Sequence, residues 1–171
     1  MLWDQDGSVT NIPCTLPDCL KGDAGDNVAG SINNRGEVVG TALFTDGVHA
    51  FRWTRETGMQ DFGIFSGTVA TVAPCCRSIN NRGEVVGFAI DPMGNSCALV
   101  WQGKTPVDLN NFIPQNSALY LQASESVNDA GQIAGVAVVK SSCPVATPPA
   151  WLTNQGACTE VHAFLASPMG R

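Results

Sequence analysis

Ser31-Ile32-Asn33-Asn34-Arg35-Gly36-Glu37-Val38-Val39-Gly40 returns unchanged as Ser78-Ile79-Asn80-Asn81-Arg82-Gly83-Glu84-Val85-Val86-Gly87. A looser copy reads Ser126-Val127-Asn128-Asp129-Ala130-Gly131-Gln132-Ile133-Ala134-Gly135. The equivalent asparagines Asn33, Asn80 and Asn128 lie 47 and 48 residues apart, a period in the range of one propeller blade. Inside each copy, asparagine tolerates and glycine prefers the positive φ of a tight hairpin connection, so the Asn-Asn-Arg-Gly piece reads as a turn and not as a site.

Working outward, His49-Ala50-Phe51-Arg52-Trp53 is echoed by Cys97-Ala98-Leu99-Val100-Trp101 and more weakly by Pro149-Ala150-Trp151-Leu152, and Met1-Leu2-Trp3 reads as the tail of an earlier copy. Each is followed by a polar turn and a short apolar stretch, at 8–12, 59–64, 106–109 and 159–165. The segments are short, rich in Val, Ile and Phe, and broken by Gly and Asn at hairpin spacing, with no sustained 3.6 period, which argues for strands. Four strands per unit are expected, in the second unit at 71–80, 84–90, 97–101 and 106–109. Strand alternation sets Phe51 and Trp53 on one face and Ala50 and Arg52 on the other. The aromatic pair is expected to pack on a neighbouring blade.

The expected fold is all-β: a propeller-like array of four-stranded antiparallel blades, about three and a half units in a single repeat domain spanning 1–171. A half unit occupies 1–27, and full units follow at 28–70, 71–118 and 119–171. Four-stranded blades expose two apolar faces and become stable by stacking. Rings use about four to eight blades, so this chain is expected to be a fragment of a longer protein or to associate with copies of itself, a dimer first. Exposed strand edges and apolar faces argue the same way.

The chain's 171 residues, 17.9 kDa, suit one domain. A net charge of −6 and nine scattered Lys and Arg argue against nucleic acid as a partner. No apolar run approaches the roughly 20 residues of a spanning helix, and the first residues lack the basic and apolar parts of a secretion signal. Seven cysteines beside few lysines favour an oxidising, extracellular or periplasmic setting with one thiol left over. The competing reading is a set of buried cysteines acting as small hydrophobes.

At these residues the chain resembles the HAF-repeat family of extracellular bacterial proteins. His49-Ala50-Phe51 and His162-Ala163-Phe164 match its tripeptide, Gly58-Met59-Gln60-Asp61-Phe62-Gly63 its Gly-Met-x-Asp-Leu-Gly strand, and Asp108-Leu109-Asn110 its Asp-Leu-Asn segment, while Cys97 stands where a His is expected. Residues 161–168 look like the family's C-terminal end, whereas the N-terminus starts inside a unit. The resemblance implies a secreted, propeller-like β-repeat protein without an agreed activity, and carries over no catalytic or binding residue.

Candidate chemistry is sparse. The two histidines recur at an equivalent motif position, which suits packing better than catalysis. No nucleophile elbow appears, and Cys75-Cys76 is too close for a zinc pair. Residues 4–8 start like a calcium loop but reach Gly too early and lack the closing Glu, so a hairpin is expected. Residues 23–27 could hold a cation weakly or form a solvated loop. No catalytic residue, metal or cofactor is assigned. Two functions remain: a non-enzymatic secreted or surface module that binds a glycan, a protein or its own copies, which is favoured, and a glycan hydrolase or lyase needing paired carboxylates.

The variable connectors are expected at one end of the units, where recognition usually resides. That end gathers the binding-face candidates Asp23, Asp26, Asp46 and Asp91, with Asp18 beside them. It also gathers the disulfide candidates Cys14, Cys19, Cys75, Cys76, Cys97 and Cys143, with Cys14 to Cys19 the first local pairing and Cys158 left free at the other end.

Overall fold

The computed structural model describes residues 2–3, 5–20, 27–72, 78–92, 94–142 and 160–168. They form an all-β chain. Strands β1 (Leu2–Trp3) and β2 (Val9–Thr10) make a hairpin. A four-stranded antiparallel meander follows: β3 (Asn27–Ile32), β4 (Val38–Phe44), β5 (Gly47–Thr54) and β6 (Gly58–Asp61). The second comprises β7 (Ala70–Val72), β8 (Val85–Ile90), β9 (Ser96–Gln102) and β10 (Thr105–Asp108). Ile79 bridges Val85 as Ile32 pairs with Val38, beside the turn that leads into β8. A single parallel bridge, Val48 to Ala70, joins the two meanders. The third set is β11 (Leu119–Val127), β12 (Ile133–Val139) and β13 (Val161–Ala166). Strand pairing closes no ring among the described residues.

Alternation distributes the apolar residues to both faces of each meander, so each must be covered twice. One face of the first meander, with Val38, Phe51, Trp53 and Met59, is covered by the N-terminal segment through Ile12, Cys14 and Cys19. Thus the aromatic pair of β5 packs on that segment. The other face presents Val39 and Ala50 to Val85, Leu99 and Trp101 of the second meander. The back of the second meander, Val86 and Ala98, packs on Leu121, Ile133 and Ala137 of the third set. Phe62, just past β6, is buried in the first junction with its ring 5.5 Å from that of Trp101, and Leu109, just past β10, fills the second. Asn110 then ties the junction by two bonds to the Leu121 backbone, donating to its carbonyl at 2.9 Å and accepting from its N–H at 2.8 Å.

One expectation is corrected in the third set. Residues 159–165, expected to follow the aromatic strand, instead supply β13, which lies beside β12 as β5 lies beside β4. The pairings Ala137 to His162 and Gly135 to Phe164 repeat Ala42 to His49 and Gly40 to Phe51. This register requires glycine at 135, where a Cβ would collide with the Ala123 carbonyl on one strand and the Phe164 ring on the other. The weaker echo at 149–152 lies outside the described residues.

Candidate functional site

The repeated turns stack directly on one another. Within each, the Asn side-chain oxygen accepts two backbone N–H groups of its own turn: Arg35 and Glu37 on Asn33, Arg82 and Glu84 on Asn80, Ala130 and Gln132 on Asn128, all at 2.9–3.1 Å. The Asn nitrogen donates inward to Glu37, Glu84 or Gln132. Its second proton goes to the next turn, Asn33 to the Asn80 carbonyl and Asn80 to the Asn128 carbonyl, each at 2.9 Å. A parallel rung runs from the Asn34 N–H to Asn81 Oδ1 and from the Asn81 N–H to Asp129 Oδ1, each at 2.8 Å. The guanidinium groups of Arg35 and Arg82 lie over Gly83 and Gly131 of the following turns. The sequence reading of the motif as a turn missed this ladder. Its signal was the constant spacing of an amide that can bond both ways.

Glu37 is buried beneath the first turn, contacting Arg35 at 2.6 Å and bonded also to Arg52 of β5. Burial pushes its carboxyl up, but hydrogen bonds from Asn33, Arg35 and Arg52 outweigh this and hold it below the ordinary glutamate range.

The opposite end of the meanders carries the expected connectors. Asp46 is exposed in the β4–β5 turn, with Oδ1 3.1 Å from His49 Nε2. His49 is buried and stacked on Phe44 at 4.2 Å, and its Nδ1–H donates to the Asp61 carboxylate at 2.9 Å. The Asp46 carboxylate lies close to Nε2 but outside hydrogen-bonding geometry, and among the described residues no hydroxyl or thiol partners that nitrogen. His49 and Asp61 therefore clamp β5 to β6, joining the His-Ala-Phe and Gly-Met-x-Asp motifs physically. Asp91, in the β8–β9 turn, accepts from the N–H and side-chain amide of Asn95 at 2.8 and 2.7 Å.

Cys14 and Cys19 form a disulfide at this end, where the Thr45 N–H donates to the Asp18 carbonyl and Cys19 bridges Phe44. Cys97 corrects an expectation: it is a free thiol, the second residue of β9, paired opposite Ala89 and buried in the first junction. Burial, and after it the charges of Asp108 and Asp91, push this thiol up to about 11. Asp23, Asp26, Cys75, Cys76, Cys143 and Cys158 lie outside the described residues. The structure thus brings Asp46 and Asp91 to the same end, Asp91 bonded to Asn95 and Asp46 exposed beside His49 Nε2. Asp6 accepts from the Ser8 N–H at 2.9 Å, as a hairpin turn does. Among the described residues no group of three or more His, Cys, Asp or Glu side chains is placed to hold a metal, and no helix is long and apolar enough to cross a membrane.

Comparison with protein-family profiles, curated proteins and solved structures finds no match to this chain.

Proposed function

We propose that this chain is a non-enzymatic, secreted or surface β-repeat module, propeller-like in architecture, that acts by binding a glycan or protein or by self-association. The observation that carries this reading is an asymmetry between identical residues. Ile79 is 4% exposed beneath the preceding meander, whereas Ile32, in the same ten-residue string, is 51% exposed. A repeat stack that leaves such a position bare has a surface suited to a partner. The titratable groups support binding over catalysis: His49, Asp61, Glu37 and Arg52 are engaged in bonds that hold strands and turns together. The Cys14–Cys19 disulfide suits an oxidising compartment.

Two measurements test the reading together. Light scattering across a concentration series reports self-association, and an immobilised polysaccharide panel, read for retention and for released reducing ends, reports ligand and reaction. Retention or association without product is the expected outcome. Catalytic release of reducing or unsaturated ends would replace this reading with a glycan hydrolase or lyase.

A further inference from the structure

The β4–β5 connection brings two donor atoms together with no hydrogen between them. His49 gives its Nδ1–H to Asp61, which leaves Nε2 with its lone pair. That nitrogen is buried, on a side chain 6% exposed, and makes no hydrogen bond among the described residues. Asp46 Oδ1 lies 3.1 Å away, off the direction in which the ring would donate. A lone pair and a carboxylate oxygen at that distance repel unless a cation stands beside both. A proton on Nε2 does not answer, because it points past Asp46. A metal ion does: bound to the ring at about 2.1 Å, it takes a second ligand at roughly a right angle, which sets the two donor atoms about 3 Å apart.

Both side chains are held in place. The Asp61 carboxylate fixes the tautomer and plane of the His49 ring, and a carboxylate behind an imidazole raises its basicity toward a metal. The ring also stacks on Phe44 with centroids 4.2 Å apart. The turn that carries Asp46 is tied on both sides: the Thr45 N–H donates to the Asp18 carbonyl, and Gly47 packs so near Val69 that a Cβ would lie within contact of its carbonyl oxygen, at 2.4 Å. Folding does not require the pair. In the second meander Asp108 takes the place of Asp61, opposite Leu99 as Asp61 is opposite Phe51. Yet Cys97 stands there for His49, and Gly94 for Asp46. That meander forms all the same, with Asp108 bonded to Asn110. The pairing of His49 with Asp46 is therefore a feature of the first meander and not of the repeat.

We infer that His49 Nε2 and the Asp46 carboxylate are the protein ligands of an exchangeable site for a divalent transition-metal ion of the Zn²⁺ class. An imidazole nitrogen with a carboxylate oxygen and no thiolate suits Zn²⁺ and its first-row neighbours, whereas Mg²⁺ and Ca²⁺ take oxygen ligands. No third His, Cys, Asp or Glu among the described residues completes the set. The remaining positions go to water or to an oxygen or nitrogen of a bound molecule, on the side where Asp46 is 67% exposed. The site goes beyond the binding and self-association reading above and does not depend on it.

The chain has two histidines, so nitrogen-resolved NMR of the imidazole rings reports each separately, with His162→Ala giving the assignment. Zn²⁺ alone, titrated into the full chain, should move the His49 Nε2 resonance to its metal-bound position while Nδ1 keeps its proton. Mg²⁺ should leave it where it was. Asp46→Asn, a change at an exposed side chain, should keep the parent's circular dichroism and weaken Zn²⁺ binding at the His49 ring by about tenfold or more, since even partners behind a metal ligand are worth that much. A His49 ring that stays unmoved with Zn²⁺ in large excess overturns the site, and so does movement confined to His162. Equal affinity at His49 in the parent and in Asp46→Asn also overturns it, because the ring would then bind without the carboxylate.

Discussion

Gly36 and Gly83 both adopt positive φ, 74° and 81°, which the Asn-Asn-Arg-Gly string predicts. Valine at either position is strained, so Gly36→Val and Gly83→Val should each cost about 1–3 kcal/mol in denaturant titration. Gly83→Val should cost the more, because Arg35 must also leave its place above the glycine. Asn80 does what no local reading of a turn residue requires. Its side chain serves two N–H groups of its own turn and the carbonyl of the next. Asn80→Ala should therefore cost about 2–3 kcal/mol, since it leaves buried groups unpaired, and Asn128→Ala, at the exposed end, about 1 kcal/mol. Glu37 sets a pH dependence. Its folded pKa lies below the free value of 4.5, so its contribution is present above about pH 4.5 and is lost as pH falls through the folded value. Thermal melts across the acid range should show Glu37→Gln destabilised at neutral pH, with the difference from the parent shrinking as pH falls below 4.5.

Strands β8, β9 and β10 stand within one residue of the expected 84–90, 97–101 and 106–109, because alternation and turn chemistry are both local signals. Cys97 shows where that stops. Its motif position was legible, but its burial opposite Ala89 depends on the first meander covering the second. With its pKa at about 11, little thiolate exists at pH 8. Ellman's reagent should leave Cys97 unmodified in the native chain, as resolved by peptide mapping, and should modify it on unfolding. The Cys14–Cys19 pairing was legible from short separation, and the segment it closes covers Phe51 and Trp53. The double change Cys14→Ala with Cys19→Ala should cost about 2 kcal/mol for so short a loop. Hydrogen exchange should rise first at the amides of Leu20 and Thr45, which tie that segment to the end of β4.

At the scale of the whole molecule, stability resides in the junctions between sheets. Trp101 fills the first junction against Phe62, so Trp101→Ala should cost about 3–5 kcal/mol and lower the chain's melting temperature. The sequence by itself determined the repeat, the strand class and the turn conformations, because φ preference and two-residue alternation act within a few residues of chain. It also placed Asp46 and Asp91 at one end, since connector positions follow from strand order. Only the tertiary structure decided that His49 is a strand clamp to Asp61, that 161–166 takes the third place in its sheet, and that the asparagines link turn to turn. The two identical strings show the physical reason. Ile32 and Ile79 have the same neighbours in sequence, yet one is bare and the other buried, because burial is a property of what packs across a junction and not of the string that folds beneath it.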